Sequence, residues 1–146
     1  MNREILTPIL MGNEDAIAFV LDLWNVVCTW DDLVDKDKPR TDAEINAAFE
    51  TALIDLPRNA FYAEHFNILN PLVASAILDW HTSNALNAAG GEQNVREAFH
   101  LRCSGYDIVT MSAKLIGGNE LAIAANASLR TVQNEWPDYA KKHGVQ

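Results

Sequence analysis

The chain has 146 residues, 49% of them hydrophobic, and its 20 acidic side chains outnumber 11 basic ones to give a net charge of −9. That length hides roughly two-thirds of the unfolded surface on folding, enough for one core, and the negative field repels phosphate backbones and anionic lipid, which disfavours nucleic-acid and membrane partners. Metal cations and basic protein surfaces suit this charge better. The longest apolar run, Ala16 to Leu21, ends at Asp22, far short of the roughly 20 residues that span a bilayer. Glu4 and Pro8 interrupt the N-terminal stretch, so no secretion signal is read there and the cytoplasm is the expected compartment.

Taken in order, a short segment from Arg3 to Met11 should stop at Gly12, which has no Cβ to oppose the left-handed cap conformation. Asn13 caps the next helix, and Glu14 and Asp15 fill its first turn, where negative charge meets the positive end of the dipole. Helical patterning then runs to about Asp35, and Pro39 prevents continuation. Thr41-Asp42-Ala43-Glu44 has the form of a capping box and opens a helix to about Ile54. Pro57 closes it. A short element at 60–66 precedes Asn70-Pro71, read as a cap with proline at the first helical position, and a helix to Ala89 that stops at Gly90-Gly91. A helix from about Glu92 to Ile116 ends at Gly117-Gly118, Asn119 caps a helix to about Glu135, and Pro137 leaves a frayed tail from about residue 140.

No stretch alternates with period two between hairpin turns, so the expected fold is all-α: one compact domain over 1–146, a bundle of about five to six helices. Cys28 and Cys103 each sit in an apolar helical segment, as reduced structural thiols do. The helix from Glu14 to Asp35 carries Phe19, Leu23, Val26, Trp30 and Val34 along one stripe, with Leu21, Trp24, Val27 and Cys28 beside it, and is expected at the centre. Its polar line, Asp22, Asn25, Thr29 and Asp32, is read as facing water.

Asp31 and Asp35, four residues apart, continue the line of Trp24 and Cys28 and are therefore expected on the core side. Two like charges one turn apart at the negative end of a helix dipole cost free energy unless a cation compensates them. A hard ion such as Mg²⁺, bound through one or two carboxylates, would do so. Asp31-Asp32-Leu33-Val34-Asp35 resembles the D-D-x-x-D pattern of the all-α isoprenoid diphosphate synthases and terpene cyclases. The resemblance covers five residues and implies that Asp31 and Asp35 hold Mg²⁺ bridging to a diphosphate. The longer run from Trp30 to Pro39 resembles small helical proteins encoded by tailed phages, which implies an origin in the host cytoplasm rather than a reaction.

Two further helices offer polar groups. Arg102 interrupts a stripe of Val95, Phe99, Tyr106, Val109, Ala113 and Ile116, and a buried guanidinium needs an acceptor. Asp107 lies on the neighbouring line. His81 and Asn84 turn the end of the helix before Ala89 polar. An enzyme reading joins them: Asp31 and Asp35 hold Mg²⁺, Arg102 and Asn84 bind a phosphate or diphosphate, and Asp107 or His81 activates water. The rival reading is a non-catalytic interaction protein whose acidic surface meets a basic protein partner. Each alternative, and the oligomeric state, stays open on the sequence alone.

Overall fold

The computed structural model describes residues 1–36, 38–132 and 135–145, the side chain of Val132 excepted. Its elements are all helical, with no strand among the described residues. Contacts divide the chain into two compact units, Met1–Phe66 and Asn67–Gln146. No described helix is long and apolar enough to cross a membrane.

In the first unit, α1 spans Arg3–Ile9 and α2 spans Glu14–Asp35. The stop between them forms as expected: Met11 and Gly12 take positive φ, and Gly12 N–H donates to the Thr7 carbonyl. The Asn13 side chain accepts from the Ala16 N–H at 3.0 Å, which satisfies one of the donors a helix start leaves open. Leu6, Ile9 and Leu10 from the α1 region, with Phe61 and Tyr62 from α5 (Ala60–Glu64), are buried together with Ala16, Ile17, Phe19 and Val20 of α2. Phe19 stacks on Tyr62, ring centroids 4.7 Å apart. Asn59 ties α5 down twice, accepting from the Tyr62 N–H and donating to the Asp15 carbonyl at 2.8 Å.

The capping box of α3 (Asp42–Glu50) closes in both directions, through the Thr41 hydroxyl and the Glu44 carboxylate. Beyond Glu50 the backbone widens into a π-helical segment, Thr51–Asp55, and then tightens to one turn, α4, Leu56–Arg58. Pro57 sits at the second position of that turn, where a missing N–H costs little, and the backbone leaves the helix only at Asn59, with ψ 124°, later than the expected end near Ile54.

In the second unit, α6 spans Phe66–Ala89 and starts earlier than the Asn70-Pro71 pair suggests, since it runs through Pro71. The missing N–H of Pro71 falls near the helix start, where one lost bond is tolerated, and Leu69 in the preceding turn is fully buried. Gly90 and Gly91 take positive φ and end α6. The segment expected as one helix from about Glu92 to Ile116 is broken, into α7 (Glu92–Arg102) and α8 (Gly105–Val132), by a turn at Cys103 and Ser104.

Within α8, Gly118 has φ 77° and ψ −166°, which is not helical. A straight helix would hold residues 107 and 130 roughly 34 Å apart, yet Arg130 Nη2 lies 3.3 Å from Asp107 Oδ1. The chain therefore reverses at Gly118, and α8 is a helical hairpin whose bend is the stop read at Gly117-Gly118. Tyr106, Ile108, Val109 and Ala113 are buried before the bend, and Ala122, Ala125 and Leu129 after it. The last helix, α9, spans Trp136–Lys142 and buries Ala140, so helical structure extends past the expected fraying point. The expected helix end at about 135 crosses residues 133 and 134, outside the described set.

Candidate functional site

The acidic pentad at the end of α2 faces differently from its expected orientation. Asp35 is exposed and Asp31 half-buried, whereas Asp32 and Thr29, on the line expected to meet water, are 6% and 3% exposed. The reason is Arg40. Its Nη2 and Nε both approach Asp32 Oδ2, at 2.5 and 2.7 Å, and Thr29 donates its hydroxyl to the Asn25 carbonyl at 2.9 Å. A buried carboxylate is tolerable when a guanidinium pairs with it, and a threonine can satisfy its hydroxyl on the preceding turn.

Arg40 Nη1 also reaches Glu44 Oε1 at 3.4 Å, and Glu44 Oε2 accepts from the Thr41 N–H and hydroxyl at 2.8 and 2.9 Å. Asp32, Arg40, Glu44 and Thr41 form one chain of contacts that links the end of α2 to the start of α3. The hydrogen bond to Asp32 holds the Arg40 guanidinium above its ordinary pKa. The Thr41 backbone N–H, then its hydroxyl, hold the Glu44 carboxyl below the usual carboxylate range. Burial pushes the Cys28 thiol up, and nearby Asp31 and Asp32 push it further against the opposing N-terminal ammonium and Arg40. Farther along α2, burial and the charge of Asp55 raise the Asp22 carboxyl.

The second unit gathers Arg102 and Asn84, the pair expected to bind substrate. Arg102 Nε donates to Ser83 Oγ at 3.0 Å and Nη2 to Asn84 Oδ1 at 2.6 Å, while its guanidinium carbon lies 5.9 Å from the Tyr139 ring centroid. Asn87 Nδ2 donates to the Tyr139 hydroxyl at 2.6 Å, and Asn87 Oδ1 is buried with no hydrogen-bond partner. Phe99 packs on Trp136 and Tyr139, with centroids 5.4 and 5.3 Å away, and Arg96 lies over the Trp136 ring at 5.0 Å. These contacts seat α9 on α7, and Trp136 is half-buried. Tyr139, Asn87 and Ser83 escape a reading of single helices because their partners lie on other elements. Ser83 and Asn87 share the polar end of α6 with Asn84, which is the one signal the sequence offers.

Of the two groups assigned to water activation, Asp107 pairs outside this cluster and His81 stacks on its chain neighbour. His81 is exposed and packs its ring 4.8 Å from that of Trp80, and Asp107 is exposed and paired with Arg130 across the α8 bend. Asp31 and Asp35 belong to the first unit, and Arg102, Asn84, His81 and Asp107 to the second. Among the described residues no group of three or more His, Cys, Asp or Glu is placed to hold a metal ion. The Cys103 thiol is pushed up by burial and the Tyr106 phenol, also chiefly by burial, to about 12. Neither is primed as a nucleophile, since the thiolate or phenolate is the reactive form.

No protein-family model matches the chain, and neither a curated protein nor a solved structure matches it. The phage and D-D-x-x-D resemblances rest on the residues that carry them.

Proposed function

We propose that this chain is a small acidic helical interaction protein that works by binding a basic protein partner. The observation that carries the reading is the distribution of charge. Met1–Phe66 holds 13 acidic and 5 basic residues, a net of −8, whereas Asn67–Gln146 holds 7 and 6, a net of −1. A field concentrated on one unit steers an oppositely charged partner toward it and raises the association rate. Asp32 is an acid of the pentad that holds the fold, through Arg40. On the phage resemblance, the partner is a host or virion protein met in the host cytoplasm.

Cross-linking in cells that express the chain, followed by mass spectrometry, tests this. One recurrent partner with a basic surface, lost from unfixed extracts as salt rises, is the expected result, because salt screens exposed charges. Recurrent acidic partners, or capture indifferent to salt, contradict it.

A further inference from the structure

Helix α3 and the π-helical segment after it turn small apolar side chains inward and large ones outward. Ile45, Ala48, Ala52 and Leu56, three and four residues apart, form the buried and half-buried side. Ala48 is buried, yet its neighbour Phe49 is 59% exposed, Leu53 one turn on is 70% exposed, and Ile54 is 49% exposed. An α-helix advances about 100° per residue, so Ile54 would stand about 140° away from Phe49. The π-helical turn across Thr51–Asp55 bonds residues five apart, which brings position i+5 back toward position i. Phe49, Leu53 and Ile54 are thereby gathered on one outer side. Single exposed apolar residues are ordinary, but three large ones collected by a rare helical turn, a geometry concentrated at functional sites, mark a contact surface.

The charge beside this face says what suits it. Glu50 and Asp55 stand among the three apolar residues, both exposed, and Arg58 is the one base between residues 42 and 58. Asp55 is close enough to Asp22 of α2 for its charge, after burial, to hold that carboxyl above its ordinary value. Two carboxylates on adjoining elements thus repel each other at the edge of the face, where a cation brought by a partner would relieve them. The unit as a whole has a net charge of −8, which disfavours a second copy of this chain and anionic lipid alike. Phe49 to Ile54 rises about 7.5 Å, so the occupant meets it with about two helical turns.

We infer that the Phe49, Leu53 and Ile54 face is the docking site for an amphipathic helix of another protein, whose apolar ridge packs on these three side chains while flanking Lys or Arg residues reach Glu50 and Asp55. This rests on the basic-partner reading above and adds the surface and the form of the ligand.

A synthetic peptide of Leu and Lys, patterned as an amphipathic helix, is the probe, titrated calorimetrically against the full chain. A Leu/Glu peptide of the same pattern is the control. The Leu/Lys peptide should bind, and Phe49→Gln and Leu53→Gln, which leave the charge unaltered, should each weaken it roughly tenfold or more. Ile123→Gln, at an exposed position of the second unit, should leave it unchanged, and circular dichroism should report folded protein throughout. Binding that survives Phe49→Gln and Leu53→Gln but collapses in high salt overturns the docking face and leaves the basic-partner reading standing. Absence of binding to the parent overturns both. Equal binding of the Leu/Glu peptide overturns the basic occupant. A parent that doubles in mass, and becomes monomeric in Leu53→Gln, assigns the face to a second copy and overturns the proposal. Protection of Phe49 and Leu53 from hydroxyl-radical labelling in the free chain also overturns it, since the face would then be covered before any partner arrives.

Discussion

The two units are both helical, similar in length and built on apolar cores, yet they differ in net charge and in the polar contacts added to those cores. Met1–Phe66 packs aromatic and aliphatic side chains around Phe19, is sealed at its helix starts by Asn13, Thr41 and Asn59, and carries nearly all the net charge. Asn67–Gln146 buries Leu69, Val95, Val109 and Leu129, is nearly neutral, and adds polar and cation–π contacts around Arg102 and Tyr139 and an ion pair across the α8 bend. An apolar core leaves a unit able to carry unbalanced charge on its surface, where a partner can use it.

The largest expected effect tests the apolar side of that contrast. Phe19→Ala removes a fully buried ring stacked on Tyr62 and should cost about 3–5 kcal/mol in a urea unfolding series. A loss within surface scatter would mean the first unit does not depend on that core. Arg102→Ala probes the polar side and should cost about 1.5–3 kcal/mol, as for hydrogen bonds made by a charged donor. Arg102→Lys should recover little, because an ammonium cannot reproduce the fork to Ser83 and Asn84. Full recovery by Lys would reduce Arg102 to a point charge.

Asp32→Asn should lower the melting temperature more than Asp35→Asn, since Asp32 is buried against Arg40 and Asp35 is exposed. The reverse order would restore the outward orientation read from the sequence. Tyr106 sharpens the comparison at high pH. Its phenol titrates at about 12 in the folded chain against an ordinary value of 10.0, so the folded state keeps a proton the unfolded state releases. Stability should therefore fall as pH rises from 10 to about 12, as read from urea unfolding at each pH, and Tyr106→Phe should flatten that fall.

The smallest effect is at Asp22. Its carboxyl is raised above 3.8 by burial and by Asp55, so its ionised form weighs against the folded state. Asp22→Asn should raise the melting temperature at neutral pH, and the gain should shrink as pH falls through the raised value toward 3.8. Equal gains at every pH would assign the effect to packing.

Helix starts and stops were the most legible part of the fold, because caps act within three or four residues: Asn13, Thr41 with Glu44, Gly12 and Gly90-Gly91 all do what their local chemistry implies. The reversal at Gly118 was legible as a stop, and Asp107 with Arg130 shows its consequence. Facing was less legible. A helical wheel of α2 places Asp32 on a wet line, but the wheel contains no Arg40, and a buried acid follows from its partner rather than from its own helix. The break after Arg102 has no local mark, since Cys103 and Ser104 carry no glycine or proline signal. Within the candidate sites, Arg102 and Asn84 were found together, while Asn87 and Tyr139, 52 residues apart, could only be joined by the fold.

The claim that binds these observations is that the net charge is concentrated on Met1–Phe66. Amide chemical shifts recorded as a Lys-rich peptide is added to isotopically labelled chain test it most directly. The account predicts shifts concentrated within Met1–Phe66, saturating with peptide and reversed by salt, with Asn67–Gln146 unmoved. Shifts centred on Arg102, Asn84 and Tyr139, with Met1–Phe66 unchanged, would contradict it.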